Sequence, residues 1–243
     1  MALAQQVHVQ GHRLHVTLHM LDQSSPTFVM IHGIGMSGRY FRPLASCLNR
    51  SFNTLIVDLP GFGSSSRPKT VPTLEAQASV VAELLEQLGI AEAVLIGHSL
   101  GCQIALRAAV GNRRVAGVVL IGPTADRRER TVRQQLRRLL QDTLREPLAY
   151  NVNVLTDYLR CSSRCYLRTL RHMLADRPEQ VIRATAGPTV LVRGAGDPIA
   201  PARWVTELAG SGAGTLVFEV AHAPHGAHFT NAEEVAAICE KLL

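Results

Sequence analysis

Gly97-His98-Ser99-Leu100-Gly101 sets a serine between two glycines at the junction of a strand and a helix. The preceding run, Ala93-Val94-Leu95-Ile96, is short, apolar and uncharged, as a strand buried on both faces should be. The following run, Cys102 to Val110, is rich in Ala, Leu and Ile and favours a helix. A serine on so sharp a turn is held in a strained backbone conformation, and the flanking glycines give the room a larger side chain would take. Its hydroxyl then projects into open space, beside helix N–H groups that can receive an anion. That is the arrangement of a nucleophilic serine. The plainer alternative, a glycine-rich turn with an incidental serine, is weighed by what the rest of the chain supplies.

Working outward, His8 to Met20 alternates apolar and polar residues around Gly11 and predicts a hairpin. Short apolar runs at Thr27–Ile31, Thr54–Val57, Val115–Ile121, Thr189–Val192 and Thr215–Val220 predict further strands. Helical patterns separate them at about Tyr40–Leu48, Thr73–Leu88, Leu100–Val110, Pro201–Leu208 and Ala232–Leu243. Such alternation predicts an α/β fold: a mostly parallel sheet flanked by helices, with chemistry at the carboxyl ends of the strands. The pattern breaks between Asp126 and about Thr185. There Val132, Leu136, Leu139, Leu140 and Leu144 follow helical spacing, with Arg133, Arg137 and Arg138 on the other faces. A second helical stretch, Leu155 to Leu174, follows Pro147. Residues 126–185 therefore read as a helical insertion into a core made of 1–125 and 186–243.

With 243 residues, 47% of them hydrophobic, the chain can bury one large core. Its first residues lack the basic start and apolar run of a signal peptide, and no apolar run reaches the roughly 20 residues that span a bilayer. Five cysteines without framework spacing agree with a reducing compartment, so a cytoplasmic protein without stable membrane insertion is expected. Cys161 and Cys165, four apart, are expected on one helix face as packing residues, since no second pair completes a zinc site. No metal is expected. Between Asp126 and Ala186 there are 13 arginines against 7 acidic residues, and this segment carries the chain's whole net charge of +6. It has few aromatics for stacking and no recognition motif, so no nucleic-acid partner is expected. The charge reads as a solvated helix face, with an anionic substrate or surface as the second reading.

A serine hydroxyl needs a base to take its proton and a third group to orient that base. After Ser99 the chain supplies both at strand ends. Asp197 lies in Arg193-Gly194-Ala195-Gly196-Asp197-Pro198, with Asp126 as the competing acid beyond another strand. His222, His225 and His228 crowd the loop after the last strand. The usual turn length favours His225, and His222 and His228 remain open. For an oxyanion, one N–H comes from Leu100, and the glycine-rich loop His32-Gly33-Ile34-Gly35 offers another, with Ile34 as the donor. His32 and His98 read as structural hydrogen-bonding groups. Arg39, Tyr40 and Phe41 can line a pocket or pack the first helix.

These pieces, taken with Asp58-Leu59-Pro60-Gly61-Phe62-Gly63-Ser64, resemble an α/β-hydrolase with a helical cap after the sixth strand. The match runs in order from about residue 7 to the end of the chain. Pro224 stands where the family usually has glycine before its histidine, and Cys102 where a second glycine is common. The resemblance implies a catalytic Ser99–Asp197–His225, a structural role for the Asp58–Ser64 turn, no cofactor, and a small-molecule acyl substrate. It implies a serine hydrolase of the carboxylesterase type, acting through an acyl-enzyme. Relatives with other roles keep three alternatives open: carbon–carbon bond hydrolysis of vinylogous diketones, acyl transfer, and receptor-like binding with little catalysis. Aspartate-nucleophile relatives are disfavoured by the serine.

Overall fold

A computed structural model describes residues 2–243. Eight strands form one sheet: β1 (Leu3–Val9), β2 (His12–His19), β3 (Thr27–Ile31), β4 (Asn53–Val57), β5 (Ala93–His98), β6 (Val115–Ile121), β7 (Thr189–Gly194) and β8 (Leu216–Val220). Their spatial order is β1-β2-β4-β3-β5-β6-β7-β8. β2 runs antiparallel to β1 and β4, and the pairs from β4 through β8 are parallel. Gln10 and Gly11, at φ 48° and 77°, form the two-residue turn whose twist suits a hairpin. β1 starts five residues earlier than the sequence pattern predicts. It is an edge strand whose first residues are polar or exposed, so little apolar alternation marks it.

The helices, in order, are α1 (Arg42–Leu48), α2 (Leu74–Gln87), α3 (Leu100–Ala109), α4 (Val132–Thr143), α5 (Leu148–Arg160), α6 (Ser163–Ala175), α7 (Pro178–Val181), α8 (Ala202–Ala209), α9 (Ala227–Thr230) and α10 (Ala232–Glu240). Side chains alternate across the strands and build two cores. Phe28, Met30, Val94 and Ile96 pack under α1 and α10, while Val29, Ile31, Ala93 and Leu95 pack under α2, α3 and α8. Covering both faces explains the uninterrupted apolar runs of β3 and β5.

Between β6 and β7 the chain builds only helices. α4 opens with a reciprocal cap in which Thr131 and Gln134 bond each other's backbone N–H. The single helix predicted over 155–174 is two helices, parted at Cys161 and Ser162, both in extended conformation. Leucine spacing runs through the break unchanged, so periodicity cannot reveal it. Ser162 stands at the residue before α6 but makes no side-chain cap hydrogen bond, so capping does not explain the break. Cys161 lies in the break itself and Cys165 in the first turn of α6, rather than both on one helix face. The α4 leucines also differ from an ordinary packing face: Val132, Leu136, Leu140 and Leu144 are all more than half exposed, while Asp142 is buried. No helix among the described residues is long and apolar enough to cross a membrane.

Candidate active site

Ser99 joins β5 to α3 at φ 56°, ψ −120°, a left-handed backbone that costs a non-glycine residue about 1–3 kcal/mol. The surrounding packing holds it there. A Cβ at Gly97 would overlap the Gly101 backbone, and one at Gly101 would overlap the Ile31 carbonyl. Gly33 lies so close that its Cβ would stand 3.1 Å from that of Ser99. Ser99 borders a cavity of about 200 Å³ that also meets Gly33, Ile34, His98 and His225.

The loop after β8 brings His225 to Asp197, with Nδ1 2.8 Å from Oδ2. The other carboxylate oxygen accepts the N–H groups of Ile199 (2.7 Å) and Ala200 (3.0 Å), which fixes the carboxylate plane. Burial would raise the Asp197 pKa, but His225 and these hydrogen bonds hold it below the usual range. With Asp197 ionised, Nδ1 carries the proton and donates it. In the neutral ring, the form that can act as a base, Nε2 carries the lone pair, and it has no hydrogen-bond partner among the described residues. Burial alone would lower the His225 pKa; the carboxylates of Asp197, Asp142 and Glu146 outweigh it and push it up to about 9. Gly122 makes room for the ring, since a Cβ there would stand 2.7 Å from Cε1.

The rival residues lie elsewhere. His222 is exposed, at φ 58°. His228 is fully buried against the rings of Tyr40, Phe41 and His98, and burial lowers its pKa to about 3. Asp126 accepts from Arg203 Nη1 at 3.1 Å. Only His225, of the three histidines in this loop, meets Asp197.

The loop after β3 is fixed from below. His32 donates from Nδ1 to the Gly33 carbonyl (2.8 Å) and accepts the Leu59 N–H at Nε2 (3.0 Å), a neutral tautomer that burial favours. Gly33 N–H donates to Tyr40 Oη (2.8 Å), so the Tyr40 hydroxyl donates to His98 Nδ1 (2.7 Å). His98 Nε2 then donates to the His225 carbonyl at 3.1 Å. Tyr40 thus lies beneath the site and ties its two loops together. Neither of the roles open to it in sequence, lining the pocket or packing the helix, anticipates this. Asp58 accepts the N–H groups of Gly38 (2.7 Å) and Ser64 (2.8 Å), a turn-fixing role. The N–H groups of Ile34 and Leu100 have no backbone acceptor among the described residues, and Leu100 opens α3, where free N–H groups are expected.

Three buried carboxylates on α4, the turn after it and α5 reach the same loops, and sequence reasoning missed them. Asp142 Oδ1 accepts the His225 N–H (3.1 Å), and Glu146 Oε1 accepts the Gly226 N–H (2.5 Å). Burial raises both pKa values, that of Glu146 to about 8. Asp157 accepts the N–H and hydroxyl of Ser37, both at 2.8 Å, and pairs with Arg39 at 2.9 Å. Their immediate neighbours are Gln141 and Thr143, Arg145 and Pro147, and Thr156 and Tyr158, and nothing in these marks the carboxylates as buried. The helices complete the cavity with Leu139, Val154, Leu170 and Met173, and none of the arginines lines it. No cluster of three metal-ligating side chains occurs among the described residues.

A model of the alpha/beta hydrolase family matches residues 28–238. A 2-(acetamidomethylene)succinate hydrolase from Mesorhizobium japonicum is 35% identical over 95 residues, 39% of this chain and 34% of that protein. A pimeloyl-[acyl-carrier protein] methyl ester esterase from Pseudoalteromonas atlantica is 35% identical over 99 residues, 40% of this chain and 37% of that protein. The matching stretch thus spans little more than a third of either relative. The structure of an esterase from Exiguobacterium antarcticum superposes with a TM-score of 0.83 and 17% identity, covering 99% of each chain.

Proposed function

The chain belongs to the α/β hydrolase family, and from that premise we propose that it is a serine hydrolase of small, uncharged acyl compounds, carboxylic esters foremost. One observation carries this reading: a serine strained at a strand-to-helix turn shares a cavity with a histidine whose far nitrogen is bonded to a buried aspartate. In this mechanism Ser99 Oγ attacks the carbonyl carbon as its proton passes to His225 Nε2. Asp197 holds the tautomer and stabilises the imidazolium. The Ile34 and Leu100 N–H groups receive the oxyanion. Collapse of the tetrahedral intermediate expels the alcohol, which takes the proton from His225. Water, deprotonated by the same nitrogen, then releases the acyl group and restores Ser99. The insertion at 126–185 acts as the cap, closing the cavity with apolar side chains.

The lining favours uncharged acyl groups. Its walls are mainly aliphatic and aromatic, Asp142 is the carboxylate within reach, and no arginine is available to bind a substrate acid. The relative named as a methyl ester esterase supports ester cleavage. The test is a panel of chromogenic esters from acetyl upward, run on wild type, Ser99→Ala, and alanine variants of His222, His225 and His228. Ser99→Ala should lose about a millionfold in kcat, and His225→Ala should be far more damaging than the other two. An ester pair differing by a remote carboxylate should show the neutral member preferred. Activity in Ser99→Ala within tenfold of wild type would remove the nucleophile from this reading.

A further inference from the structure

The outer surface of the helical cap combines two features that a solvated lid does not need. Nine of the sixteen large hydrophobic residues the protein leaves exposed fall between Val132 and Leu167. On α4 they stand at 132, 136 and 140, one face of the helix, and Leu144 continues the row. On α5 they stand at 148, 152, 155 and 159, again one face. Leu144 and Leu148, flanking the turn between these helices, are 89% and 79% exposed. Monomeric soluble proteins scatter such residues singly rather than in rows.

The second feature is charge. All seven acidic residues between 126 and 186 are buried or half-buried, whereas eleven of the thirteen arginines are exposed. Arg133, Arg160, Arg164, Arg168 and Arg171 form no ion pair among the described residues. The exposed charge of the cap is therefore of one sign, interleaved with leucine rows. Two identical faces of this kind would set arginine against arginine, which disfavours a second copy as the occupant. Apolar rows rimmed by arginine match the interface of an anionic lipid layer, where headgroups take the guanidinium groups and the leucines enter the acyl boundary.

We propose that the outer face of α4, α5 and α6 is a docking surface for anionic lipid, on which the protein adsorbs without spanning the layer. The face is continuous with the cavity: Val132, Leu136 and Leu167 are exposed and also line it. A docked molecule would thus present the cavity mouth to apolar compounds dissolved in the layer. Binding is independent of the serine chemistry, so the test reads binding first.

The full chain is sedimented with vesicles of phosphatidylcholine alone, and with vesicles of phosphatidylcholine carrying phosphatidylglycerol. The expected result is retention on the anionic vesicles, little on the zwitterionic ones, and release as salt rises. Leu144→Asn with Leu148→Asn should weaken retention by about tenfold or more. Both positions are exposed and outside the cavity lining, so turnover of a water-soluble ester should stay unchanged. Arg164→Gln with Arg168→Gln and Arg171→Gln should weaken retention and make its salt dependence shallower. Failure to bind the anionic vesicles, or binding indifferent to both sets of variants, overturns the proposal. So does a concentration-dependent dimer that the leucine variant abolishes, which would give the face to a second copy.

Discussion

Asp157→Ala should loosen α5 from the loop after β3, and its cost follows from the bonds this carboxylate makes. It is 4% exposed, accepts the Ser37 N–H and hydroxyl at 2.8 Å, and pairs with Arg39 at 2.9 Å. Breaking a buried ion pair from one side costs about 3–5 kcal/mol, and each buried donor left unsatisfied about 1–3 kcal/mol. Arg39 is 28% exposed and can recover water, and the Ser37 hydroxyl can rotate toward another partner. The lower end, about 3 kcal/mol, is therefore the expected loss. Arg39→Ala should cost a similar amount, because it leaves the buried Asp157 carboxylate without its cation while the Ser37 bonds remain. The double variant should cost less than the two together, since both remove the same interaction. Urea unfolding followed by the single tryptophan, the fully buried Trp204, measures all three. Asp157→Ala within about 0.5 kcal/mol of wild type, or strict additivity of the pair, would refute the reasoning.

Other outcomes follow from the same geometry. Because His225 must be unprotonated to act as a base and its pKa is pushed up to about 9, kcat/KM for an uncharged ester should climb through pH 9. Glu146→Gln removes one of the carboxylates that hold the proton on His225, so that limb should move to lower pH; a shift upward, or none, would contradict the assignment. Tyr40→Phe keeps the ring packing but leaves the Gly33 N–H and His98 Nδ1 without partners, so a stability loss of about 1–3 kcal/mol should accompany a fall in kcat, checked by urea unfolding and ester turnover. Gly101→Ala should fail to yield soluble folded protein, because its Cβ would overlap the Ile31 carbonyl, a backbone atom of the central sheet that cannot move aside; normal expression and melting would contradict this.

What the sequence made legible was whatever depended on local pattern. Apolar runs without charge located the central strands, because a sheet covered on both faces excludes polar residues from them. The glycines beside Ser99 were legible because close backbone packing admits nothing larger. The turn after β8 was harder, since three histidines share one short loop and counting cannot say which ring meets Asp197; that depends on Gly122 and Gly194, distant in sequence, making room for the loop. The cap was the least legible. Helical spacing of its leucines does not tell which face turns in: Leu139 and Leu170 line the cavity while Leu140, Leu144, Leu148 and Leu159 face out, and Asp142, Glu146 and Asp157 turn in to bond backbone N–H groups of the core. Those bonds join residues 80 or more positions apart, and no local signal encodes them.

The central claim, that Ser99 is a nucleophile activated by His225, is tested most directly by covalent trapping. A fluorophosphonate reagent is incubated with the protein, and the product is read by intact mass and peptide mapping. One adduct per chain on Ser99 is expected, absent in Ser99→Ala and formed far more slowly in His225→Ala. An unlabelled wild type, or an adduct that persists in Ser99→Ala, would contradict the account.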